Sequence, residues 1–443
     1  MNKNDPIRRT ISLLLLVVGG VGATWLVARW ITRPTPPPDL PIGSGLSIAP
    51  VPITGREERG SLTSMDTEPP GLLPGEEQLG EAGWPRIGAQ FLVGQGEQWP
   101  FSAFPNGRFE YRSIKAGSFL GGGPGRDGIP SIDDPTYEDI PTATPRYSDR
   151  DPVAVLTIGN ETRIYPQQIL MWHEIANDTL GGIPVAVTYC PLCNATVAFK
   201  RTLDGVVLEF GVSGYLRNSD LIMYDRLTES WFQQLTGEGI TGILTSARLD
   251  RLPVQVMSYK SAVSAYPDAT VLAPEEELAK FYGKNPYRQY DSKETEPFLL
   301  NTPAGESYGD ALPPKARILV VEEPGFETLP VIALTSIKKK GLIVHGQSLV
   351  VYVGSHASPL DNTVISEGRD VIQATVFTLP AEGKYKKKGS EIWGPHGARW
   401  DIFTGKPLTE GTPALRPARH GLYFWFAWSA FHPEATVLKT GWF

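Results

Sequence analysis

The chain has 443 residues, of which 41% are hydrophobic and 20% charged, a composition typical of folded domains. This length predicts two or three domains. The net charge is -7 and no long basic stripe accompanies it, which excludes nucleic-acid binding as a main role because the phosphate backbone requires a basic surface.

Near the N-terminus, residues 11–27 are apolar apart from small and hydroxyl side chains, and arginines stand on both sides. The run approaches the ~20 residues that span a bilayer. It predicts one transmembrane helix within residues 1–33, which makes the membrane a partner and places the body of a single-pass cell-membrane protein outside the cytoplasm. A signal peptide cleaved near Ala23 is the alternative, but the apolar run continues past that residue.

The next stretch, residues 34–85, is rich in proline, glycine, serine and charge. Such a composition does not bury a core, and its proline-rich start favours an extended chain. We expect a disordered linker that holds the folded part away from the membrane surface.

The folded part contains an apparent internal duplication. Residues 262–272 match 428–438, and Pro433 lies 166 residues after Pro267. A second pair of matching segments, around Pro166 and Pro330, is offset by 164 residues. We therefore expect a mainly β fold with short helices (α+β), built of two similar antiparallel-sheet halves. The first copy is assigned to residues 86–272 and the second to 273–443.

Within the first copy, alternating apolar residues and turn dipeptides predict hairpins, and residues with helical spacing predict a helix. The helix is expected to end at Gly181-Gly182. The predicted strands are 153–158, 161–165, 183–189, 196–201 and 206–212, with hairpin turns at Gly159-Asn160 and Asp204-Gly205, and the predicted helix is 167–178.

Only two cysteines occur, Cys190 and Cys193, and they lie in a turn directly after a predicted buried strand. Their spacing suits a redox dithiol or two ligands of one metal ion. For redox chemistry, Cys190 is the attacking thiolate and Cys193 the resolving thiol. For metal binding, Asn194 suits a left-handed turn like that of a metal knuckle, and the candidate cofactor is a transition metal. With no third cysteine, such a site is completed by histidine, a carboxylate or water.

The candidate partner of the thiols is His173, which stands 17 residues before Cys190 on the predicted helix. A helix packed on its following strand can bring this imidazole to the thiol turn. There it would act as a catalytic base for Cys190 or as a third metal ligand. The alternative is a histidine that is hydrogen-bonded between helix and sheet.

Two further hypotheses remain open. In the first, the cysteines form an inert disulfide in a non-catalytic binding module, although a bridge over so short a loop stabilises a fold little. In the second, the protein is a Cys-His hydrolase, which leaves Cys193 without a role. The leading hypothesis for an enzyme is a thiol-dependent oxidoreductase. Its substrate, and any protein or small-molecule partner, cannot be read from these residues.

Six motifs follow one another along the chain: Asp127-Gly-Ile-Pro-Ser-Ile-Asp-Asp-Pro135, Trp172-His-Glu-Ile-Ala-Asn-Asp178, Tyr189-Cys-Pro-Leu-Cys193, Phe210-Gly-Val-Ser-Gly214, Asn218-Ser-Asp220 and Met223-Tyr-Asp-Arg226. Together and in this order they closely resemble the domain-of-unknown-function 3179 family, most strongly over residues 118–272 and more loosely over 315–438. Selenocysteine in some members of that family implies redox chemistry at the matching position, which here is Cys190 or Cys193, with His173 as neighbour. In the second copy this position falls near Ser355 and His356, so that copy is implied to be scaffold or half of a cleft.

Overall fold

The computed structural model describes residues 99–114, 116–298, 311–322 and 331–438. The predicted membrane helix and linker lie outside these residues. Among the helices that are described, none combines the length and the hydropathy needed to cross a membrane. Contacts divide the chain into two compact units. The first comprises residues up to 131 together with 201–250, and the second comprises 132–200 together with 251–443.

The described residues are mainly β with short helices, which confirms the predicted α+β class. The helices are α1 (Ile140–Ala143), α2 (Gln167–His173), α3 (Tyr259–Ala265), α4 (Leu334–Lys340) and α5 (Trp425–Phe431). The strands are β1 (Leu120–Gly121), β2 (Tyr137–Asp139), β3 (Pro152–Ile158), β4 (Glu161–Pro166), β5 (Ile175–Leu180), β6 (Ile183–Cys190), β7 (Ala195–Lys200), β8 (Thr202–Leu203), β9 (Val206–Val207), β10 (Phe210–Arg217), β11 (Asp220–Asp225), β12 (Trp231–Gln233), β13 (Gly239–Thr241), β14 (Arg251–Leu252), β15 (Val254–Ser258), β16 (Thr270–Leu272), β17 (Arg317–Val321), β18 (Val331–Ala333), β19 (Leu342–His345), β20 (Ser348–Ala357), β21 (Asp370–Thr378), β22 (Lys386–Lys388), β23 (Glu391–Trp393), β24 (Arg399–Asp401), β25 (Arg416–Pro417) and β26 (His420–Phe424).

The first unit is built on a five-stranded antiparallel sheet in the order β1-β10-β11-β12-β13. Its core is aromatic, with the buried Trp231 at the centre. The rings of Phe104, Phe109 and Phe119 meet Trp231 edge-on, with centroids 5.3, 5.1 and 5.2 Å away. Edge-on contacts of this kind add to the stability that ring burial provides, so this cluster stabilises the small sheet.

In the second unit, the first half forms two sheets, β15-β3-β4-β16-β2 and β14-β7-β6-β5. The strands β3 and β4 form the hairpin predicted at Gly159-Asn160, where Gly159 has φ +60°. The predicted helix 167–178 is wrong in its second half, because α2 ends at His173 and Glu174 turns the chain with φ 58°. Residues 175–180 instead form β5, which pairs along its whole length with β6.

The second half of this unit repeats that order of elements. The order β15-β3-β4, with β16 parallel to β4, corresponds to β26-β17-β18, with a parallel bridge between Val331 and Val437. The order β14-β7-β6-β5 corresponds to β25-β21-β20-β19. A short helix follows β4 and β18 alike. The duplication stays a prediction, and these matching orders support it.

The predicted hairpin at Asp204-Gly205 exists in a shorter form. Only the two-residue strands β8 and β9 pair across it. The strand before it, β7, pairs with β6 and β14 in the second unit. The strand after it, β10, pairs with β11 in the first. The pairing of 196–201 with 206–212 is therefore wrong, because each strand finds a longer partner elsewhere.

Candidate functional site

The strand β6 and the turn after it position the two thiols. Because β6 pairs on both sides, with β5 and β7, its end is held firmly, and Cys190 lies opposite Ala195. A single 3₁₀ turn, Pro191–Cys193, follows. Asn194 then adopts a left-handed conformation with φ 52° and ψ 37°, and its N–H donates to the carbonyl of Pro191 at 3.1 Å. The structure places the cysteines in the predicted strand-to-strand turn.

The two sulfur atoms lie within 4.8 Å of each other and are not joined in a disulfide. Both side chains are buried, with Cys190 1% and Cys193 0% exposed. This proximity lets both sulfurs bind one metal ion or form a disulfide after a small movement of the turn. The spacing therefore keeps both predicted kinds of chemistry open.

Two tyrosines of the second unit lie near the thiols, of which Tyr189 is buried and Tyr287 half-buried. Burial raises the pKa of Tyr189 well above its usual value, an effect that the charge of Arg317 partly opposes. Burial also raises the pKa of Tyr287, and the negative charges of Glu174 and Cys190 raise it further. Both phenols are therefore neutral at physiological pH, and a thiolate here would have neutral tyrosine neighbours.

Behind Tyr189 lies a buried cluster of charges centred on Asp291. Its Oδ2 atom lies 2.6 Å from Nη2 of Arg317 and accepts a hydrogen bond of 2.5 Å from Ser358 Oγ. Its Oδ1 atom lies 2.9 Å from Nη1 of Arg369. Burial alone would raise the pKa of Asp291, but Arg317, Ser358 and Arg369 outweigh it, and the net pKa is lower than usual. Asp291 is thus a fixed negative charge that neutralises the buried Arg317.

The structure places His173 at the end of α2, buried, with its Nε2 atom 2.7 Å from the hydroxyl of Tyr282. Among the described residues, no group of three metal-ligating side chains within 4.8 Å includes His173. The role of His173 as a base or a third ligand stays a prediction. Its contact with Tyr282 agrees with the alternative of a histidine satisfied by a hydrogen bond.

A small cavity near the thiol turn, lined by both polar and apolar residues, was missed from the sequence. It measures about 10 Å³, and its lining includes Asn194, Thr196 and Gln167 from the first half with Arg317 and His356 from the second. These residues are far apart along the chain, so no local pattern joins them. One signal was present, since His356 falls near the position of Cys190 in the second copy.

Some of the family-like motifs form a structural cluster in the first unit. The carboxylate of Asp127 accepts hydrogen bonds from the hydroxyl of Tyr224 at 2.5 Å and from Nη1 of Arg226 at 2.8 Å. Nη2 of Arg226 also donates to Ser131 Oγ at 2.9 Å. These contacts connect segments about 100 residues apart, so the motif residues hold the fold of this unit together.

The chain matches the family model described as a protein of unknown function, DUF3179, over residues 126–435. This match covers more than half of the chain, and the protein belongs to that family. No curated protein and no solved structure matches the chain. The family membership confirms the resemblance found in the motifs and brings no established activity with it.

Proposed function

We propose that this protein is a thiol-redox protein in which Cys190 and Cys193 alternate between a dithiol and a disulfide. The observation that carries the proposal is the distance between their sulfurs, which is within 4.8 Å in one tight turn. Oxidation removes two electrons and two protons from the thiols, and an oxidant accepts the electrons. Cys190 is the attacking thiolate and Cys193 the resolving thiol.

Two physical features support this role. A disulfide that closes so short a loop gains little from restricting the unfolded chain, so it stabilises the fold weakly and is readily reduced. The burial of both thiols also restricts the chemistry, since a large partner cannot reach either sulfur in this conformation. A small-molecule oxidant suits such a site better than a protein disulfide does.

The test is mass spectrometry of the purified protein after alkylation, before and after treatment with a mild thiol oxidant. We expect the loss of two alkylation sites and of two hydrogens, at Cys190 and Cys193 together. In Cys193→Ser, hydrogen peroxide used as the oxidant should transfer one oxygen atom to Cys190 and release water, which gives a sulfenic acid that dimedone traps, and Cys190→Ser should give far less trapped product. Two thiols that remain alkylatable under all oxidants would rule out the dithiol proposal.

Metal binding by the two thiolates is the second candidate. The observation in its favour is the knuckle-like turn, in which a left-handed Asn194 follows a 3₁₀ turn and both sulfurs lie close together. Elemental analysis of the wild type and of a Cys190→Ser/Cys193→Ser double variant tests it. One equivalent of a transition metal, present in the wild type and absent from the double variant, would favour metal binding over redox cycling.

We also propose that residues 1–33 anchor the protein in the cell membrane and that the body lies outside the cytoplasm. The apolar run at residues 11–27 and its flanking arginines support this topology. A protease added to intact spheroplasts should then degrade the body. Protection of the body until the membrane is permeabilised would contradict the topology.

A further inference from the structure

The small sheet β22-β23-β24 of the second unit has a buried face and an outward face. On its buried face, Ile392 on β23 lies opposite Trp400 on β24. Because side chains alternate along a strand, the neighbours of these two residues point outward. Lys386 lies opposite Trp393, which lies opposite Arg399. These three side chains therefore form a row across the outward face, which we call the β22–β24 face.

An exposed leucine, Leu408, extends this row beyond β24. Its N–H donates to the carbonyl of Arg399 at 2.8 Å, and the adjacent pair of Trp400 and Pro407 forms an antiparallel bridge. Residues directly opposite each other in an antiparallel pair share a face, so Leu408 points outward with Arg399. Leu408 is 46% exposed. The β22–β24 face thus combines basic side chains, a half-buried tryptophan and an exposed aliphatic side chain.

Positive charge predominates on the β22–β24 face. Lys388 Nζ lies 3.7 Å from the centroid of the Trp393 ring, and the guanidinium carbon of Arg399 lies 5.4 Å from it. Glu391 lies 3.8 Å from Arg399, and Asp401 accepts hydrogen bonds from the backbone of the turn after it. Both acids thus have partners within the protein. By register, the charged residues of the face are the cations Lys386, Lys388, Arg399 and Lys406 and the acids Glu391 and Asp401.

A second group of lysines lies at the edge of the sheet β19-β20-β21-β25, which packs beneath this face. Lys387 on β22 places its Nζ atom 4.8 Å from the centroid of the Tyr352 ring. The N–H of Tyr352 donates to the carbonyl of Gly341 at 2.9 Å. Gly341 directly follows Lys338–Lys340, which are exposed at the end of α4. Two lysine runs that are distant in the sequence therefore meet at one edge, and their charges add to the attraction of an anion.

An anionic bilayer matches the β22–β24 face in both charge and polarity. Basic side chains near an anionic membrane surface are attracted to the lipid phosphates, and tryptophan is favoured at the boundary between headgroups and hydrocarbon. Leu408 would leave water there for an apolar environment. An acidic polysaccharide fits less well, because it offers Leu408 no such environment. Lys388 also covers a face of the Trp393 ring, on which a sugar would stack.

We propose that the β22–β24 face docks the second unit on an anionic lipid bilayer. Lys386, Lys388 and Arg399 contact lipid phosphates, and Trp393 and Leu408 enter the interface. The inference rests on the proposed membrane anchor at residues 1–33, which keeps the body near the bilayer so that weak contacts act at a high local concentration. It is independent of the proposed redox chemistry.

The experiment places the environment-sensitive fluorophore NBD at Leu408→Cys in a Cys190→Ser/Cys193→Ser background. The labelled full chain is reconstituted into liposomes of phosphatidylcholine alone, or of phosphatidylcholine and phosphatidylglycerol in equal parts. We expect the NBD emission to shift to the blue, and quenching by spin-labelled lipid to rise, only with phosphatidylglycerol. High salt should reverse both changes, because it screens interactions between surface charges.

A charge reversal on β22 tests the contacts. Each basic residue near an anionic surface contributes roughly fivefold to binding, so Lys386→Glu/Lys388→Glu should lower the ratio of docked to free body by more than about tenfold. The matched control is Lys280→Glu/Lys284→Glu, which makes the same change of charge at two exposed lysines elsewhere in the second unit. It should leave the NBD emission with phosphatidylglycerol unchanged.

Flotation of the same liposomes separates failure of the anchor from failure of the docking face. A chain that does not float with phosphatidylcholine liposomes would contradict the anchor. A chain that floats with both liposomes but shows identical NBD emission in them would overturn the docking face. An emission shift with dextran sulfate and none with phosphatidylglycerol would also overturn it, in favour of a soluble polyanion as the partner.

Discussion

Two hairpins at corresponding places in the second unit differ sharply in how their strands are connected. Between β6 and β7 the chain needs only residues 191–194, a tight turn that follows Cys190 and contains Cys193. Between β20 and β21 it uses residues 358–369, which hold charged side chains and no cysteine. The strand order is the same in both places, so the two hairpins differ in their connections and not in their sheets.

The longer connection is held by the charge cluster around Asp291. Ser358 at its start and Arg369 at its end both contact that carboxylate. The N–H of Ser358 also donates to the carbonyl of Arg369 at 2.8 Å, which closes the loop at its base. The thiol turn is short enough to be fixed by its own backbone, whereas the long loop depends on one acid from outside the hairpin.

The largest loss of stability is therefore expected for Asp291→Asn. Removing this charge leaves the buried Arg317 without its counter-ion. We therefore expect the free energy of unfolding to fall by about 3–5 kcal/mol. Chemical denaturation measures this change. The control is Asp370→Asn in the same hairpin, where an exposed carboxylate pairs with Arg150 at 2.8 Å. That variant should cost less than about 1 kcal/mol. Equal losses in the two variants would contradict the role of the cluster.

The same cluster predicts a pH dependence. Because the folded pKa of Asp291 lies below that of an unfolded aspartate, about 3.9, its ionised form stabilises the fold above that pH. This contribution is lost as the pH falls from there through the folded pKa. Acid titrations monitored by circular dichroism should show the wild type unfolding more steeply with falling pH than Asp291→Asn. Parallel curves would show that the carboxylate is not the titrating group.

A smaller effect is expected in the short connection, at Asn194. Its left-handed conformation is unfavourable for a β-branched residue, so Asn194→Val should reduce the free energy of unfolding by about 1–2 kcal/mol. Asn194→Gly is the matched control, since glycine adopts this conformation without strain, and it should be close to neutral. A Val variant as stable as the Gly variant would mean that the turn relaxes.

The smallest loss of stability is expected at the other end of β6, in the turn formed by Gly181 and Gly182, whose φ angles are +56° and +74°. A side chain at Gly181 would place its Cβ 2.9 Å from the carbonyl oxygen of Ile158, whereas nothing lies within 4 Å of a Cβ at Gly182. Asparagine tolerates this backbone conformation. Thermal unfolding should show Gly181→Asn less stable by about 1 kcal/mol and Gly182→Asn nearly unchanged.

These hairpins also show how far the sequence predicts the structure. The α+β class follows from local alternation of apolar residues, and the strand leading to Cys190 follows from a continuous apolar run. The prediction that the helix continues past His173 is wrong, because contacts with residues distant in the sequence determine the structure of residues 175–180. Asp178 on β5 accepts bonds of 2.7 and 2.6 Å from Nη1 of Arg163 on β4. The helical spacing of apolar residues gives no indication that Asp178 pairs with Arg163.

The candidate site was likewise predictable where it depends on neighbouring residues and not where it depends on distant ones. The thiol pair is visible in the sequence because its two members are three residues apart. The cavity is not, since Gln167 and His356 are brought together by the packing of two halves whose contacts span most of the second unit. A sequence shows polar residues, but not which of them lose water and partners on folding.

The place where the first unit leaves the second has a consequence for how such proteins diversify. The chain departs after Lys200 at the end of β7 and returns at Arg251, which pairs with Phe199 on that same strand. Entry and exit are thus neighbours in one sheet, so the length of the intervening segment 201–250 can change without shifting the register of β6 and β7. Its content is not free to change, because the motifs at residues 210–214, 218–220 and 223–226 lie within it.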